Sequence, residues 1–98
     1  MAAYFIARYN VTNPEGFKAY GAAVGPTFAG HDMEVIVLDH AANAVEGTPP
    51  QNTVILKFPS KEAALAWYNS PEYQAIKHHR TDNSEGDIAL VEGFSPPT

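Results

Sequence analysis

The chain has no cysteine among its 98 residues. This absence excludes disulfide bonds, thiolate metal sites and cysteine nucleophiles. Basic residues are also few, with six Lys and Arg against eleven Asp and Glu, and they are scattered singly along the sequence. Because nucleic-acid binding relies on clustered cations that displace counterions from phosphates, we expect no nucleic acid among the partners.

Long apolar runs are missing as well. The N-terminal segment has no basic stretch before its apolar residues, and Arg8 interrupts the apolar run that follows. This pattern predicts a first strand instead of a signal peptide. No apolar run approaches the roughly 20 residues that a membrane-spanning helix needs. The sequence therefore predicts a cytoplasmic protein with no membrane partner.

What the sequence does contain is an ordered alternation of strand and helix signals. Strands are predicted over residues 4–11, 34–38, 53–58 and 87–91, with a turn over residues 82–86. Helices are predicted to begin after Asn13, Ser60 and Ser70, whose side-chain oxygens can cap a helix N-terminus. The resulting order, β-α-β-β-α-β, is that of a ferredoxin-like α+β fold, an antiparallel sheet with two helices on one face.

A chain of this length forms one domain, which we place at residues 1–94, followed by a flexible tail at residues 95–98. Both helices cover the same face of the predicted sheet, so the other face has no cover within the chain. We expect side chains such as Ile6, Val54 and Leu56 on this open face. At about 25 cal/mol per Å² of apolar area, their exposure costs several kcal/mol. The sequence therefore predicts a homodimer in which two copies pack sheet against sheet.

The most specific pattern lies at residues 58–73, which read Phe-Pro-Ser-Lys-Glu-Ala-Ala-Leu-Ala-Trp-Tyr-Asn-Ser-Pro-Glu-Tyr. Together with Val-Thr-Asn-Pro-Glu at 11–15, Arg80 and Leu-Val-Glu-Gly at 90–93, this stretch resembles a family of unknown function in the dimeric α+β barrel superfamily. The resemblance covers nearly the whole chain. It implies a ferredoxin-like subunit, a dimer formed through the sheets, and a cavity between sheet and helices.

The superfamily that the chain resembles includes cofactor-independent oxygenases, lactone isomerases and haem enzymes. The chain departs from the family pattern after His31. Two positions that are often basic in the family are Glu34 and Leu38 here. If those basic groups hold an anionic ligand in relatives, this chain lacks them.

Arg80 is the most suggestive candidate for chemistry. It shares a predicted helical stripe with Tyr73 and Ile76, which directs its guanidinium toward the sheet. A guanidinium keeps its charge and needs an acceptor when it is buried. In one interpretation Arg80 holds an acidic or enolate-like ligand in the cavity. In the other, which is more frequent for such groups, it reaches solvent or pairs with an acid such as Glu92.

The remaining candidates each have two interpretations. His31 is either a general base at the rim of the cavity or, as we favour, a cation at a helix C-terminus. Trp67 and Tyr73 either line an aromatic ligand pocket or form the core, the more frequent role of such a stripe. Arg8 either pairs with an acid across the dimer, as we favour, or lines the dimer interior.

Histidine spacing gives little support for a metal site. His78 and His79 are adjacent on a predicted helix and point about 100° apart, so they cannot chelate one ion together. His-x-His and Glu-x-x-His motifs are missing. No histidine is singled out as a haem ligand. We expect neither a metal nor an organic cofactor.

Two functions fit these observations. The first is a cofactor-independent enzyme that performs proton transfer or oxygenation on a small carbonyl or phenolic compound, with His31 as base and Arg80 holding negative charge. The second is a non-catalytic dimer that binds a small metabolite or has a structural role. An enzyme of this kind requires a ligand-sized cavity with an ionisable group directed into it. In a structural dimer, aromatic side chains would fill the same space.

Overall fold

The computed structural model describes residues 1–95. The strands are β1 Ala3–Val11, β2 Glu34–Asp39, β3 Asn52–Phe58 and β4 Ser84–Glu92. The helices are α1 Pro14–Val24, α2 Lys61–Tyr68, α3 Pro71–Ile76 and α4 His78–Thr81, with a 3-10 helix at Gly25–Phe28. Apart from Ser95, the flexible tail predicted over residues 95–98 lies outside the described residues.

The strands form one antiparallel sheet in the order β2-β3-β1-β4. At the centre of the sheet, Phe5 of β1 lies opposite Leu56 of β3 and Leu90 of β4. The Cα atoms extend only 15 Å along the shortest axis, which is the thickness of one sheet and one helical layer. The predicted α+β class with a ferredoxin-like strand order is confirmed.

The helices begin where their capping residues predict. Asn13, Ser60 and Ser70 each accept a hydrogen bond from the backbone amide three residues further on, at 3.4, 3.0 and 3.3 Å. Prolines occupy the first helical position of α1 and of α3, where the missing N–H is harmless. These local signals set the start of each longer helix independently of tertiary packing.

The last strand begins earlier than the sequence predicts. The turn predicted over residues 82–86 is wrong in its second half, because β4 already pairs with β1 from Ser84 onward. Gly86 lies inside this strand, opposite Tyr9. A Cβ atom at Gly86 would collide with the backbone of Arg8 and Tyr9. The glycine therefore permits a close approach between two strands.

Two side chains of β3 point to the opposite face of the sheet from the one predicted. Ile6 points to the open face, as predicted, opposite Ile55. Val54 and Leu56 point to the helices instead, and Leu56 belongs to the buried core. The buried Phe58 explains this, because alternate residues of a strand share one face and Phe58 sets the register for the other two.

The core occupies one end of the layer between sheet and helices. Its largest fully buried side chains are Phe58, Trp67 and Tyr73. The Trp67 indole nitrogen donates to the Thr27 hydroxyl at 3.0 Å, and that hydroxyl donates to the Val24 carbonyl at 2.6 Å. These bonds attach the 3-10 helix to α2. In the described part of the chain, no helix has the length and apolar character to cross a bilayer.

Candidate functional site

An apolar cavity of about 270 Å³ lies between α1 and the sheet. Its floor includes Ala7, Tyr9 and Val54 from the helix-facing side of the sheet, and its roof includes Phe17, Tyr20 and Val24 from α1. Small-molecule pockets in proteins begin at roughly 300 Å³. The cavity therefore suits a small ligand, and its aromatic walls favour a flat one.

The cavity opens at the edge of the sheet. Val35 and Leu38 of the edge strand β2 line it, yet their side chains are 48% and 62% exposed. Leu38 is at one of the two positions where the resemblance in the sequence led us to expect a basic residue. Here that position contributes an apolar rim, so any charge for binding an anion must come from elsewhere in the cavity.

Arg80 supplies a positive charge to the cavity lining. Its Nε donates to the Tyr73 phenol oxygen at 3.3 Å, and the Tyr73 and Tyr20 hydroxyl oxygens lie 2.9 Å apart. Within residues 1–95, no carboxylate forms a salt bridge with this half-buried guanidinium. Glu92, the alternative partner, lies at the far end of β4 opposite Ala3. Further N–H groups of Arg80 thus remain for other acceptors.

The surroundings favour the neutral form of the Tyr9 and Tyr20 phenols and the charged form of the Arg80 guanidinium. Burial raises the pKa of Tyr20 far above its usual value of 10.0, and the Tyr73 phenol adds to this effect. Burial also raises the pKa of Tyr9, against the opposing effect of Arg80. For Arg80, burial opposes the charge, but the phenols of Tyr73, Tyr20 and Tyr68 together outweigh it and the pKa is raised. The site thus combines phenol groups with a permanent cation.

His40 is a further ionisable group of the lining, which the sequence analysis did not single out as a site residue. It directly follows β2, and its Nδ1 lies 2.9 Å from Oδ1 of Asn52. The Asn52 amide nitrogen donates to the Tyr9 carbonyl at 3.1 Å. A signal for this arrangement was present. Asn52 shares the helix-facing side of β3 with Val54, and a buried polar residue at such a position needs partners.

The predicted site residues do not converge. Arg80 alone among them lines the cavity. The His31 side chain does not line the cavity. Its backbone amide donates to the Phe28 carbonyl at the end of the 3-10 helix, at 3.0 Å. Trp67 and Tyr73 are fully buried in the core, with Tyr73 directly bonded to Arg80.

Arg8 lies on the other side of the sheet. It is exposed on the open face, directly opposite Asp87 of β4. This position separates it from the cavity by the thickness of the sheet. For metal ions, residues 1–95 contain no group of three or more His, Asp or Glu side chains placed to hold one.

The fold is similar to those of several solved structures. RPA0582 from Rhodopseudomonas palustris, a protein of unknown function, is 15% identical with a TM-score of 0.77, covering 97% of this chain and 84% of that one. SnoaB from Streptomyces nogalater, a cofactor-independent oxygenase, is 13% identical with a TM-score of 0.63, covering 97% of this chain and 95% of that one. At such low identity these similarities show the fold alone.

A third similar structure is a putative antibiotic biosynthesis monooxygenase from Bacteriodes thetaiotaomicron. It is 18% identical with a TM-score of 0.56, covering 96% of this chain and 89% of that one. These neighbours share the α+β fold that the sequence predicts for this subunit. No curated protein matches the chain. A family model described as a domain of unknown function, DUF1330, matches residues 2–94. The chain therefore belongs to the DUF1330 family, which confirms the resemblance to a family of unknown function seen in its sequence.

Proposed function

We propose that the protein binds a small, mostly apolar molecule with one acidic oxygen, and that Arg80 holds this oxygen as an anion. One observation carries the proposal. The half-buried Arg80 guanidinium lines an apolar cavity, and its bonded partner is a phenol, with no salt-bridging carboxylate in the described residues. A cation withdrawn from water without a counter-ion is costly. A bound anion would remove this cost.

The chemistry of the cavity walls narrows the ligand class. The aromatic rings of Tyr9, Phe17 and Tyr20 favour a flat apolar body. The guanidinium of Arg80 and the hydroxyl of Tyr20 favour an oxygen that carries negative charge. A phenol, or a carbonyl compound that forms an enolate, satisfies both requirements, whereas a small aliphatic acid would leave the apolar walls uncovered.

The reaction class that we propose is proton transfer, or oxygenation by O₂ without a cofactor, on such a carbonyl or phenolic compound. Stabilising an enolate or phenolate lowers the barrier to removing the proton that generates it. The fold likeness to SnoaB, named a cofactor-independent oxygenase, is compatible with this class but assigns no residue roles. A non-catalytic metabolite-binding protein is the alternative. A purely structural role has less support, because aromatic side chains leave a cavity in the layer.

The homodimer is also part of this proposal, with the open face of the sheet as the contact between two copies. It is supported by an apolar row on that face, which consists of Val37, Ile55, Ile6 and Ala89. The cytoplasmic location stays a prediction from the sequence.

The test of the Arg80 role uses 4-nitrophenol as the probe and 4-nitroanisole, which has no acidic proton, as the matched ligand control. We expect wild-type protein to bind the phenol more tightly than the ether. Arg80→Gln should weaken phenol binding at least about tenfold, because a hydrogen bond to a charged group contributes roughly 1.5–3 kcal/mol. Isothermal titration calorimetry measures both affinities.

The control variant is Lys61→Gln, which removes the same charge from the exposed start of α2. It should bind 4-nitrophenol as the wild type does. Equal affinity of wild type and folded Arg80→Gln for the phenol contradicts the proposal.

A further inference from the structure

We infer that His40 is the proton acceptor of the cavity and that Asn52 is the positioning residue that sets its tautomer. This inference rests on the proposed function and adds the group that receives the ligand's proton. It comes from a chain of hydrogen bonds that runs from the backbone of β1 through β3 to the imidazole.

The chain of bonds has only one consistent direction. The Tyr9 carbonyl oxygen can only accept, so the Asn52 amide must turn its nitrogen toward it, at 3.1 Å. The Asn52 oxygen then faces His40 Nδ1 at 2.9 Å. Because that oxygen can also only accept, Nδ1 must carry the hydrogen. In the neutral imidazole, Nε2 is then the nitrogen with a free electron pair.

The backbone register places the His40 imidazole at the same end of the sheet as the Arg80 guanidinium. Asn52 lies directly opposite Tyr9, and Gly86 of β4 lies opposite Tyr9 on its other side. Arg80 lines a small pocket together with Tyr9 and Gly86, and it lines the main cavity together with His40. One cavity thus has a histidine on the β2 side and a guanidinium on the β4 side.

This arrangement fits a simple proton transfer. The O–H bond of a phenol or enol breaks, and the proton passes to Nε2 of His40, where a new N–H bond forms. The electron pair stays on the ligand oxygen, which the Arg80 guanidinium holds. The imidazolium keeps its Nδ1–H bond to Asn52. No electrons leave or enter, so the step needs no oxidant or further reactant.

Other charged or titratable groups line the same two pockets as His40 or precede it in the chain. They are Tyr9, Tyr20 and Arg80 from the cavity, Lys18 from an adjacent groove, and Asp39 from the preceding position in the chain. The Asp39 carboxylate accepts a hydrogen bond from the Ala41 backbone amide at 2.8 Å and so stabilises the turn after β2. The hydrogen-bonded side-chain partner of the His40 ring is the neutral amide of Asn52.

The test follows the visible absorbance of bound 4-nitrophenol, which reports its phenolate form, as a function of pH. In wild-type protein we expect the phenolate band at a lower pH than in His40→Gln. The difference should be at least about one pH unit, because a neighbouring imidazolium lowers the pKa of an acidic group by that order. His40 is exposed, so the variant should fold. The control is His78→Gln, which alters an exposed histidine on α4 and should titrate as wild type.

The Asn52→Asp variant tests the positioning role, because it should shift the phenolate band in the direction opposite to the shift in His40→Gln. A carboxylate next to Nδ1 makes the imidazole more basic, so the phenolate band should persist to a lower pH than in wild type. A change that merely loosened the site would raise that pH. Because Asn52 is buried and its replacement can prevent folding, the His40→Gln comparison stands on its own.

The outcomes separate this inference from the proposed function. If His40→Gln titrates as wild type while Arg80→Gln still weakens binding, His40 is not the proton acceptor and the proposed function stands. If wild-type protein binds no 4-nitrophenol, both are overturned. A downward shift in Asn52→Asp together with an upward shift in His40→Gln supports the full arrangement.

Discussion

At the scale of single residues, Thr27 connects three segments through one buried hydroxyl. This hydroxyl accepts from the Trp67 indole at 3.0 Å and donates to the Val24 carbonyl at 2.6 Å. Thr27→Val keeps the shape of the side chain and removes both bonds. The indole N–H then remains buried without an acceptor, so we expect a loss of about 1–3 kcal/mol in the free energy of unfolding. Urea denaturation measures this loss.

The control for Thr27 is Thr12→Val, which alters an exposed threonine with no side-chain hydrogen bond in the described structure. Its effect should stay within about 0.5 kcal/mol, as is usual for surface substitutions. Equal stability of the two variants would contradict the role given to the Thr27 hydroxyl.

The pH dependence of stability reports on Tyr20. Its pKa is raised in the folded protein, mainly by burial, from 10.0. Above that value the unfolded chain releases the phenol proton while the folded chain retains it, so stability falls as pH rises. In Tyr20→Phe this contribution is missing. We therefore expect the variant to lose less stability than wild type above pH 10.0.

At neutral pH we expect wild type to be the more stable of the two proteins. Tyr20→Phe loses the bond to Tyr73, at 2.9 Å, and should be about 1 kcal/mol less stable than wild type. The gap should then narrow by up to about 1.4 kcal/mol for each pH unit above the unfolded pKa. Denaturant unfolding across this pH range measures it. A gap that does not change with pH contradicts the burial of a neutral phenol.

Single residues of the site were only partly predictable from sequence. Arg80 was found because its helical spacing from Tyr73 sets the direction of its side chain whatever the tertiary context. His40 was missed because it lies in a loop, where no periodicity gives direction, and its placement depends on Asn52 from another strand. His31 looked suitable from its place between two elements, but such a place does not determine where a side chain points.

At the scale of elements, two glycines of α1 should respond oppositely to the same substitution. A Cβ atom at Gly16 would collide with the Asn83 side chain, which donates to the His79 carbonyl at 2.8 Å. A Cβ atom at Gly21 would meet nothing within 4 Å. We therefore expect Gly21→Ala to stabilise the protein by roughly 0.5–1 kcal/mol through helix propensity.

Gly16→Ala should instead destabilise the protein by about 1 kcal/mol, because displacing Asn83 breaks a hydrogen bond that outweighs the gain in propensity. Thermal unfolding of the two variants, each with the same added methyl group, tests the difference in sign. Stabilisation by both would mean that Asn83 yields without loss.

The elements themselves followed the sequence closely where the determinants are local. Helix starts were predictable, because a capping side chain satisfies an amide only three residues away. The start of β4 was not, because Gly86 looks like a turn signal until Tyr9 of another strand is placed beside it. The predicted face of Val54 and Leu56 was wrong for a similar reason. In an apolar run, only the packing of a neighbouring helix decides which side is buried.

At the scale of the whole molecule, the open face of the sheet carries an apolar row across all its strands. Val37, Ile55, Ile6 and Ala89 are neighbours in register along this row. Opposite charges lie directly across from each other on both sides of it, as pairs of Arg8 with Asp87 and of Lys57 with Glu34. An apolar centre between locally balanced charges suits contact with a second copy.

The homodimer prediction is tested at the centre of this row. Ile6→Lys introduces a charge opposite Ile55, and two copies packed sheet against sheet would bury it without a partner. Because an unpaired buried charge costs several kcal/mol, we expect the dimer dissociation constant to rise at least about a hundredfold. Sedimentation velocity at low micromolar concentration should show a dimer for wild type and a single subunit for the variant.

Val45→Lys is the matched control, since it adds the same charge to a loop residue that is 92% exposed. It should sediment as wild type does. The variants also separate assembly from binding, because the cavity lies on the helix side of the sheet and the substituted residue on the other. A single subunit made by Ile6→Lys that still binds 4-nitrophenol would show that one chain forms the whole site. A wild-type protein that sediments as a single subunit would contradict the dimer and leave the apolar row without a physical explanation.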